Sequence, residues 1–193
     1  MSTLMIVGGV HGVGKTTLIG NLLCGSRPGT TFLDPGALFN KHVWQDKDRT
    51  VSEVEDLVVA KLVAQCHTCN TKLVLASWHW AVWTPLGYVP QISIDRWRLV
   101  VRASGATRVH LVNVTAPAET ILTRRVRDYA NHPRKRSLDA VSDEMVASDE
   151  QYECFADAIE RFATVLRHEV KNVGIESALD ELKNLYTHAY ETA

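Results

Sequence analysis

The sequence predicts a doubly wound α/β domain in which helices cover both faces of a parallel sheet. Three observations lead to this fold class. A glycine-rich turn joins an apolar run to a helical pattern near the start of the chain, and strand-like and helix-like segments alternate from there to the end. A length of 193 residues with 46% hydrophobic content suits one domain with one sizeable core.

The glycine-rich turn predicts a phosphate-binding site. Residues 9–16 read GVHGVGKT and match the phosphate-binding loop, or P-loop, pattern G-x-x-x-x-G-K-[ST]. The apolar residues 4–7 before it are typical of a buried strand, and apolar residues at helical spacing follow it. A strand, a glycine turn and a helix N-terminus together surround an anion with backbone N–H groups. The alternative is a glycine-rich strand-to-helix turn with a chance lysine.

The residue types in this loop predict how a nucleoside triphosphate would bind. Glycines allow positive φ and let the backbone lie close to a ligand. We expect Lys15 to bridge the β- and γ-phosphates of ATP and the Thr16 hydroxyl to ligate Mg²⁺. The backbone of the loop would hold the phosphates, which gives the cofactor-binding set Gly9, Val10, His11, Gly12, Val13, Gly14, Lys15 and Thr16.

The rest of the chain predicts a five-stranded sheet. The strands are predicted at residues 3–8, 30–33, 72–76, 107–113 and 170–173. Helices are predicted at 15–24, 37–44 and 94–103, after a capping box of Ser52 and Glu55, after Pro117, at 142–168 and after Ser177. Residues 77–90 are predicted to form an aromatic- and proline-rich loop. Ligands of such a domain bind at the C-terminal ends of the strands.

Composition excludes some classes of partner. A net charge of −1 gives no global reason to expect nucleic acid or a membrane as a partner. No apolar run has the length of a membrane span, and the first apolar run is the P-loop strand rather than a signal segment. We therefore expect a cytoplasmic protein whose four cysteines are reduced.

Positive charge is concentrated in one segment of this near-neutral chain. Arginines occupy positions 124, 125, 127, 134 and 136, with Asp128 as the opposing charge. Phosphoryl transfer needs guanidinium groups on the transferring group, and a basic lid closing over the phosphates would supply them. The alternative is a solvated basic helix end.

Several segments resemble the archaeal-type adenylate kinases, which are P-loop nucleoside monophosphate kinases, over nearly the whole chain. They are GGVHGVGKTT at 8–17, TPLGYVP at 84–90, ILTRR at 121–125, RKRSLD at 134–139 and ALDEL at 178–182. The resemblance implies a three-layer P-loop NTPase fold with a five-stranded parallel sheet and a small lid. It implies a single domain, 1–193, with a core of 1–34, 72–124 and 140–193, an acceptor-binding helical region at 35–71 and a lid at 125–139. The implied reaction converts ATP and AMP to two ADP.

The resemblance also implies roles for individual residues. Thr17 joins the ATP-phosphate loop, Arg124 matches an arginine at the base of the lid, and Arg134 and Arg136 match the lid arginines. On the acceptor side, the matching residues are His79, just after the third strand, and Gly87, Tyr88 and Pro90.

Two departures fall on the acceptor side. The family has an aspartate that helps to hold hydrated Mg²⁺ where this chain has Ser77, and Gln91 replaces a glycine. Asp34, at the end of the second predicted strand, is the best candidate substitute, either as a metal ligand through water or as the acceptor of a substrate hydroxyl proton. Ordinary turn chemistry before Pro-Gly explains this aspartate equally well.

Three functions follow from these residues. The first is a nucleoside monophosphate kinase with nucleotide substrates, and the second is a kinase for a non-nucleotide hydroxyl. The third is a P-loop ATPase switch acting on a macromolecular partner, favoured by Ser77 and by the tryptophans at 78, 80 and 83. These tryptophans could instead pack over the sheet edge or in a subunit interface. Homo-oligomerisation stays open.

Overall fold

A computed structural model describes residues 2–128 and 137–193. The strands are β1 Thr3–Gly8, β2 Thr30–Leu33, β3 Leu73–Ser77, β4 Ala81–Thr84, β5 Gly87–Pro90, β6 Arg108–Thr115 and β7 Thr164–Lys171. The helices are α1 Lys15–Leu23, α2 Pro35–Phe39, α3 Val51–His67, α4 Ile94–Ser104, α5 Ala118–Arg127, α6 Leu138–Ile159 and α7 Ile175–Glu191, and a π-helical turn spans Asn40–Gln45.

Five strands form one parallel sheet in the order β2-β3-β1-β6-β7. The central strand β1 pairs with β3 on one side, where Val7 is opposite Ser77, and with β6 on the other, where Gly8 is opposite Asn113. The loops after β1, β3 and β6 therefore leave the sheet side by side at its C-terminal edge. The predicted three-layer α/β/α fold with five parallel strands is confirmed.

Alternating side chains of β1 bury themselves in two separate cores. Leu4 and Ile6 point to the face covered by α3, α4 and α6, where three large rings from Trp78, Trp97 and Phe155 pack together. Met5 and Val7 point to the opposite face, which is covered mainly by α1, α5 and α7. Since all four side chains are fully buried, β1 is fixed from both faces before it enters the P-loop.

Three local predictions were wrong. The helix predicted at 142–168 is α6, capped by Ser137 and ending at Ile159, and the following residues form the long edge strand β7 along the whole of β6. Residues 77–90 contain an antiparallel hairpin of β4 and β5 rather than a loop. The capping box of α3 uses Thr50 and Glu53, since the Thr50 hydroxyl accepts from the Glu53 N–H while the Glu53 carboxylate accepts from the Thr50 N–H.

Pairing explains the misassigned strands. Residues 164–171 carry β-branched side chains only at 164, 165 and 170, so their own pattern is weak, and their strand state depends on the partner β6. Among the described residues, no helix is both long enough and apolar enough to cross a membrane.

Candidate functional site

The P-loop adopts the backbone shape that its glycines predict. Gly9, Gly12 and Gly14 all have positive φ, and Gly14 is the left-handed residue immediately before α1. A Cβ on Gly9 would lie 2.4 Å from the carbonyl oxygen of Val114, and one on Gly14 would lie 2.4 Å from the Asn172 side-chain nitrogen. Side chains at these two positions are therefore excluded by both conformation and space.

Lys15 is the cation of this loop and is 95% removed from solvent. Its Nζ donates to the carbonyl oxygens of Gly9 at 2.7 Å and Val10 at 2.9 Å. The same atom lies 3.4 Å from Nδ1 of His79, which also lies 3.3 Å from the Gly9 carbonyl oxygen. Because β3 is the immediate neighbour of β1, the sheet brings the loop after β3 onto the P-loop.

His79 is held by the residues around it. Its backbone N–H donates to Oε1 of the buried Gln91 at 2.8 Å. Its ring stacks on that of His11, with the ring centroids 3.8 Å apart. On either side of it, Trp78 and Trp80 are fully buried. The backbone N–H of Trp78 donates to the Val7 carbonyl at 2.9 Å, and the indole Nε1 of Trp80 donates to the Asn113 side-chain oxygen at 3.1 Å. These contacts fix the position of the imidazole at the edge of the P-loop.

A buried ion pair of Arg125 and Glu144 also contacts the P-loop. Glu144 of α6 accepts from the His11 backbone N–H at 3.0 Å, from His11 Nδ1 at 3.1 Å and from Arg125 at 2.9 Å. Burial opposes ionisation of this carboxyl. The His11 hydrogen bond and the attraction of His11 and Arg125 outweigh it and lower the pKa of Glu144 to about 2.

Two consecutive arginines of α5 bind two carbonyls of the loop. Arg125 donates to the His11 carbonyl from Nε at 3.0 Å and from a terminal nitrogen at 2.8 Å. Arg124 donates to the Val13 carbonyl at 2.8 Å and to the Asn172 carbonyl at 3.1 Å, and burial lowers the pKa of its guanidinium. Asn172, at the end of β7, also donates to the Val13 carbonyl at 2.7 Å.

The other residues predicted for the site do not form one cluster with Lys15 and His79 among the described residues. Asp34 is the N-cap of α2, where its carboxylate accepts from the Ala37 N–H at 3.3 Å. It ends β2, two strands from β1 and so about 10 Å from it, because neighbouring strands are spaced about 5 Å apart. Thr16 and Thr17 are exposed in the first turn of α1. Arg134 and Arg136 lie outside the described residues.

The acceptor-side segment GYVP forms the strand β5. Gly87 has positive φ just after the hairpin turn, and Tyr88 pairs with Trp83 across the hairpin. The Tyr88 hydroxyl donates to the Ala140 carbonyl of α6 at 3.4 Å. Burial raises the pKa of this hydroxyl, and the nearby Glu144 charge raises it further. The hairpin therefore reaches the helix that carries Glu144.

The sequence interpretation missed Glu144, Asn172 and Asn113, which are all buried. The strand-end positions of the two asparagines could have identified them as site residues, since polar side chains at the C-terminal ends of parallel strands face the ligand edge. For Glu144 the sequence offers no such signal, because it is one of many acidic residues along α6.

Comparisons with known proteins support a fold rather than a family. No protein-family model and no curated protein matches the chain. Among solved structures, the tunicamycin resistance protein of Deinococcus radiodurans is 14% identical, with a TM-score of 0.53 and 96% of each chain covered. A sugar kinase from Janibacter sp. is 15% identical, with a TM-score of 0.54, 100% of this chain and 99% of that chain covered. A chain of the Pnkp1/Rnl/Hen1 RNA repair complex is 14% identical, with a TM-score of 0.57, 80% of this chain and 46% of that chain covered.

The chain therefore shares the overall fold of these structures. The adenylate kinase resemblance rests on the sequence motifs alone.

Proposed function

We propose that this protein transfers the γ-phosphoryl group of Mg·ATP to a small acceptor. The observation that carries the proposal is the meeting of two loops. The buried Lys15 ammonium of the P-loop lies 3.4 Å from His79, on the loop after the neighbouring strand. A donor phosphate at Lys15 and an acceptor beside His79 would be adjacent, as in-line transfer requires.

The residues present fit a triphosphate. Glycines with positive φ, the N-terminus of the nine-residue helix α1 and the Lys15 ammonium provide the backbone N–H groups and the charge that polyphosphate needs. The exposed hydroxyl of Thr16 could bind Mg²⁺, which keeps several water ligands in such sites. When bound, the metal would neutralise charge on the β- and γ-phosphates.

The roles of the chain's own groups are positioning and charge stabilisation. Lys15 would leave the Gly9 and Val10 carbonyls to reach the phosphates, because its flexible stem allows the ammonium to move between acceptors. Arg124 lies beside the loop at Val13 and would have to leave that carbonyl to place positive charge near the transferring group. Arg134 and Arg136 are proposed to contribute from the lid.

The first candidate acceptor is a nucleoside monophosphate, and AMP is the member that the sequence resemblance indicates. It would lie between Asp34, His79 and the hairpin residues Gly87 and Tyr88. The hairpin supports this candidate, because the motif segment 84–90 folds as a unit whose Tyr88 contacts α6 next to the P-loop network.

The second candidate acceptor is a hydroxyl group of a small molecule other than a nucleotide. It is favoured by Ser77, which supplies no charge at the end of β3, and by Asp34 at the end of the adjoining strand. A carboxylate at that edge can accept the proton of a hydroxyl, a step that a phosphate acceptor does not need. The structural neighbour described as a sugar kinase is consistent with this choice.

The ATPase-switch alternative has lost part of its support. It was based on Ser77 and on three tryptophans available to a macromolecular partner, but Trp78 and Trp80 are fully buried and only Trp83 of the three is exposed, at 55%. The rings of Trp78 and Trp80 pack in the hydrophobic core instead.

One assay tests the proposal. The protein is incubated with Mg·ATP and a panel of nucleoside monophosphates and hydroxyl compounds, and both ADP and phosphorylated acceptor are followed. ADP formation that depends on the acceptor supports the kinase, and the identity of the acceptor decides between the two candidates. ADP formed at one rate with every acceptor and with none would reject the kinase in favour of an ATPase.

A further inference from the structure

The backbone of the P-loop is held by hydrogen bonds to residues 111 to 133 positions away in sequence. The carbonyls of His11 and Val13 each accept from a different arginine of α5. No peptide bond in the described residues is cis. In a trans peptide the carbonyl and the N–H of the following residue point in opposite directions.

This geometry fixes the direction of two amides. The carbonyl of His11 shares its peptide with the N–H of Gly12, and the carbonyl of Val13 shares its peptide with the N–H of Gly14. Because the arginines bind both carbonyls, the N–H groups of Gly12 and Gly14 point away from the arginines. These are the donors that a phosphate nest requires.

Glu144 binds both Arg125 and the backbone of His11. It accepts from the side chain of Arg125 and from the backbone N–H of His11. The guanidinium and the carboxylate therefore hold both the N–H and the carbonyl of His11. Both side chains are at most 10% exposed, so solvent does not weaken the pair.

We infer that Arg125 and Glu144 are positioning residues that turn the Gly12 amide toward the phosphates of the nucleotide, while Arg124 and Asn172 hold the Val13 carbonyl. The inference rests on the proposed function, because it assigns these residues to the nucleotide site of that activity. Neither residue contacts the nucleotide in this account, since both act through the backbone of residues 11–14. Their removal should weaken phosphate binding and leave acceptor binding unchanged.

The main test replaces the ion pair by apolar side chains of similar length. Arg125→Met/Glu144→Met removes both members of the ion pair together, and such replacements are often neutral for folding. Binding of Mg·ATP and of inorganic tripolyphosphate is measured by calorimetry. We expect both affinities to fall by about 10- to 100-fold, because loss of a hydrogen bond to a charged group costs about that factor. The unfolding midpoint and the KM for the acceptor should stay near those of the wild type.

A matched control uses the exposed ion pair of Arg167 with Glu153, which lies on the same helix α6. The variant Arg167→Met/Glu153→Met should bind both ligands as the wild type does. If the main double variant does not fold, Arg125→Lys keeps the charge next to Glu144 but loses the two-nitrogen contact with the His11 carbonyl. This variant should lose tripolyphosphate affinity in the same direction.

Wild-type affinity for tripolyphosphate in a folded double variant, or in Arg125→Lys if the double variant is unfolded, would overturn the inference. Failure of the wild-type protein to bind Mg·ATP would instead overturn the proposed function, together with the inference that depends on it. A wild type that binds Mg·ATP without transferring phosphate would reject the kinase alone, and the variants would still decide the role of the ion pair.

Discussion

The contact between Gly8 and Trp80 gives a quantitative prediction. A Cβ on Gly8 would lie 2.2 Å from Cε2 of Trp80, a distance that requires something to move. The ring cannot yield easily, since it is fully buried, packs edge-on against Tyr152 and donates from Nε1 to Asn113. We therefore expect Gly8→Ala to destabilise the protein by about 1–3 kcal/mol, the usual cost of overpacking.

Thermal unfolding followed by circular dichroism measures this cost. For a domain of this size, each kcal/mol lowers the midpoint by about 2–4 °C. ATP affinity should fall as well, because Gly8 leads directly into the P-loop and Trp80 follows His79 in sequence. Gly20→Ala is the control, since Gly20 is exposed within α1 with no atom within 4 Å of its added Cβ. It should stabilise the protein by about 0.5–1 kcal/mol.

The steric explanation is tested directly by making Gly8→Ala in a variant that lacks the Trp80 ring. In Trp80→Leu the ring is absent, so Gly8→Ala should cost clearly less than it does in the wild type, and the two changes should be non-additive. If Gly8→Ala left the wild-type midpoint unchanged, or cost the same in both backgrounds, the close approach of the ring would not be what constrains this position.

Three further predictions concern single residues. Lys15→Ala should reduce turnover at least about 100-fold in an ADP-release assay, as loss of a charge-stabilising donor does, and near-wild-type turnover would place the donor phosphates elsewhere. Asp34→Asn should keep the cap of α2, because asparagine caps as well as aspartate; it should lower turnover far more than ATP affinity, and equally small effects on both would remove Asp34 from the mechanism. His110 has its pKa lowered from 6.5 to about 4 by burial and by the neighbouring His168 and His188, so the folded state prefers the neutral ring. Its stabilising contribution is fully present above pH 6.5 and is lost as pH falls from 6.5 towards 4, by about 2 kcal/mol between pH 7 and pH 5. Urea unfolding at the two pH values should show that loss in the wild type and less of it in His110→Leu; equal losses would contradict it.

Local chemistry explains which parts of the structure the sequence could predict. The bounds of β1 and the start of α1 were predicted to the residue, because an apolar run, three glycines and a helical repeat all lie within about twenty positions. The hairpin and β7 were not predicted, because the extended conformation of these segments depends on the strands with which they pair. Each residue of β7 pairs with a residue of β6 that lies 56 positions earlier in the sequence.

The same distinction applies within the candidate site. Lys15 and Thr16 could be assigned roles from the motif, since the spacing alone puts them at a helix N-terminus. Glu144 could not be assigned a role in this way, because its role depends on a contact with His11, which is 133 residues away in sequence. Its neighbours on α6 include exposed acidic residues of the same type, and nothing in the local pattern separates the buried carboxylate from them.

Core packing positions His79 beyond the end of β3. After Ser77, the Trp78 amide continues the ladder to Val7, and the buried rings of Trp78 and Trp80 fix the backbone on both sides of the histidine. Core packing therefore sets the distance between the His79 imidazole and Lys15. An acceptor bound beside His79, as we propose, would therefore meet a backbone that the core holds in place.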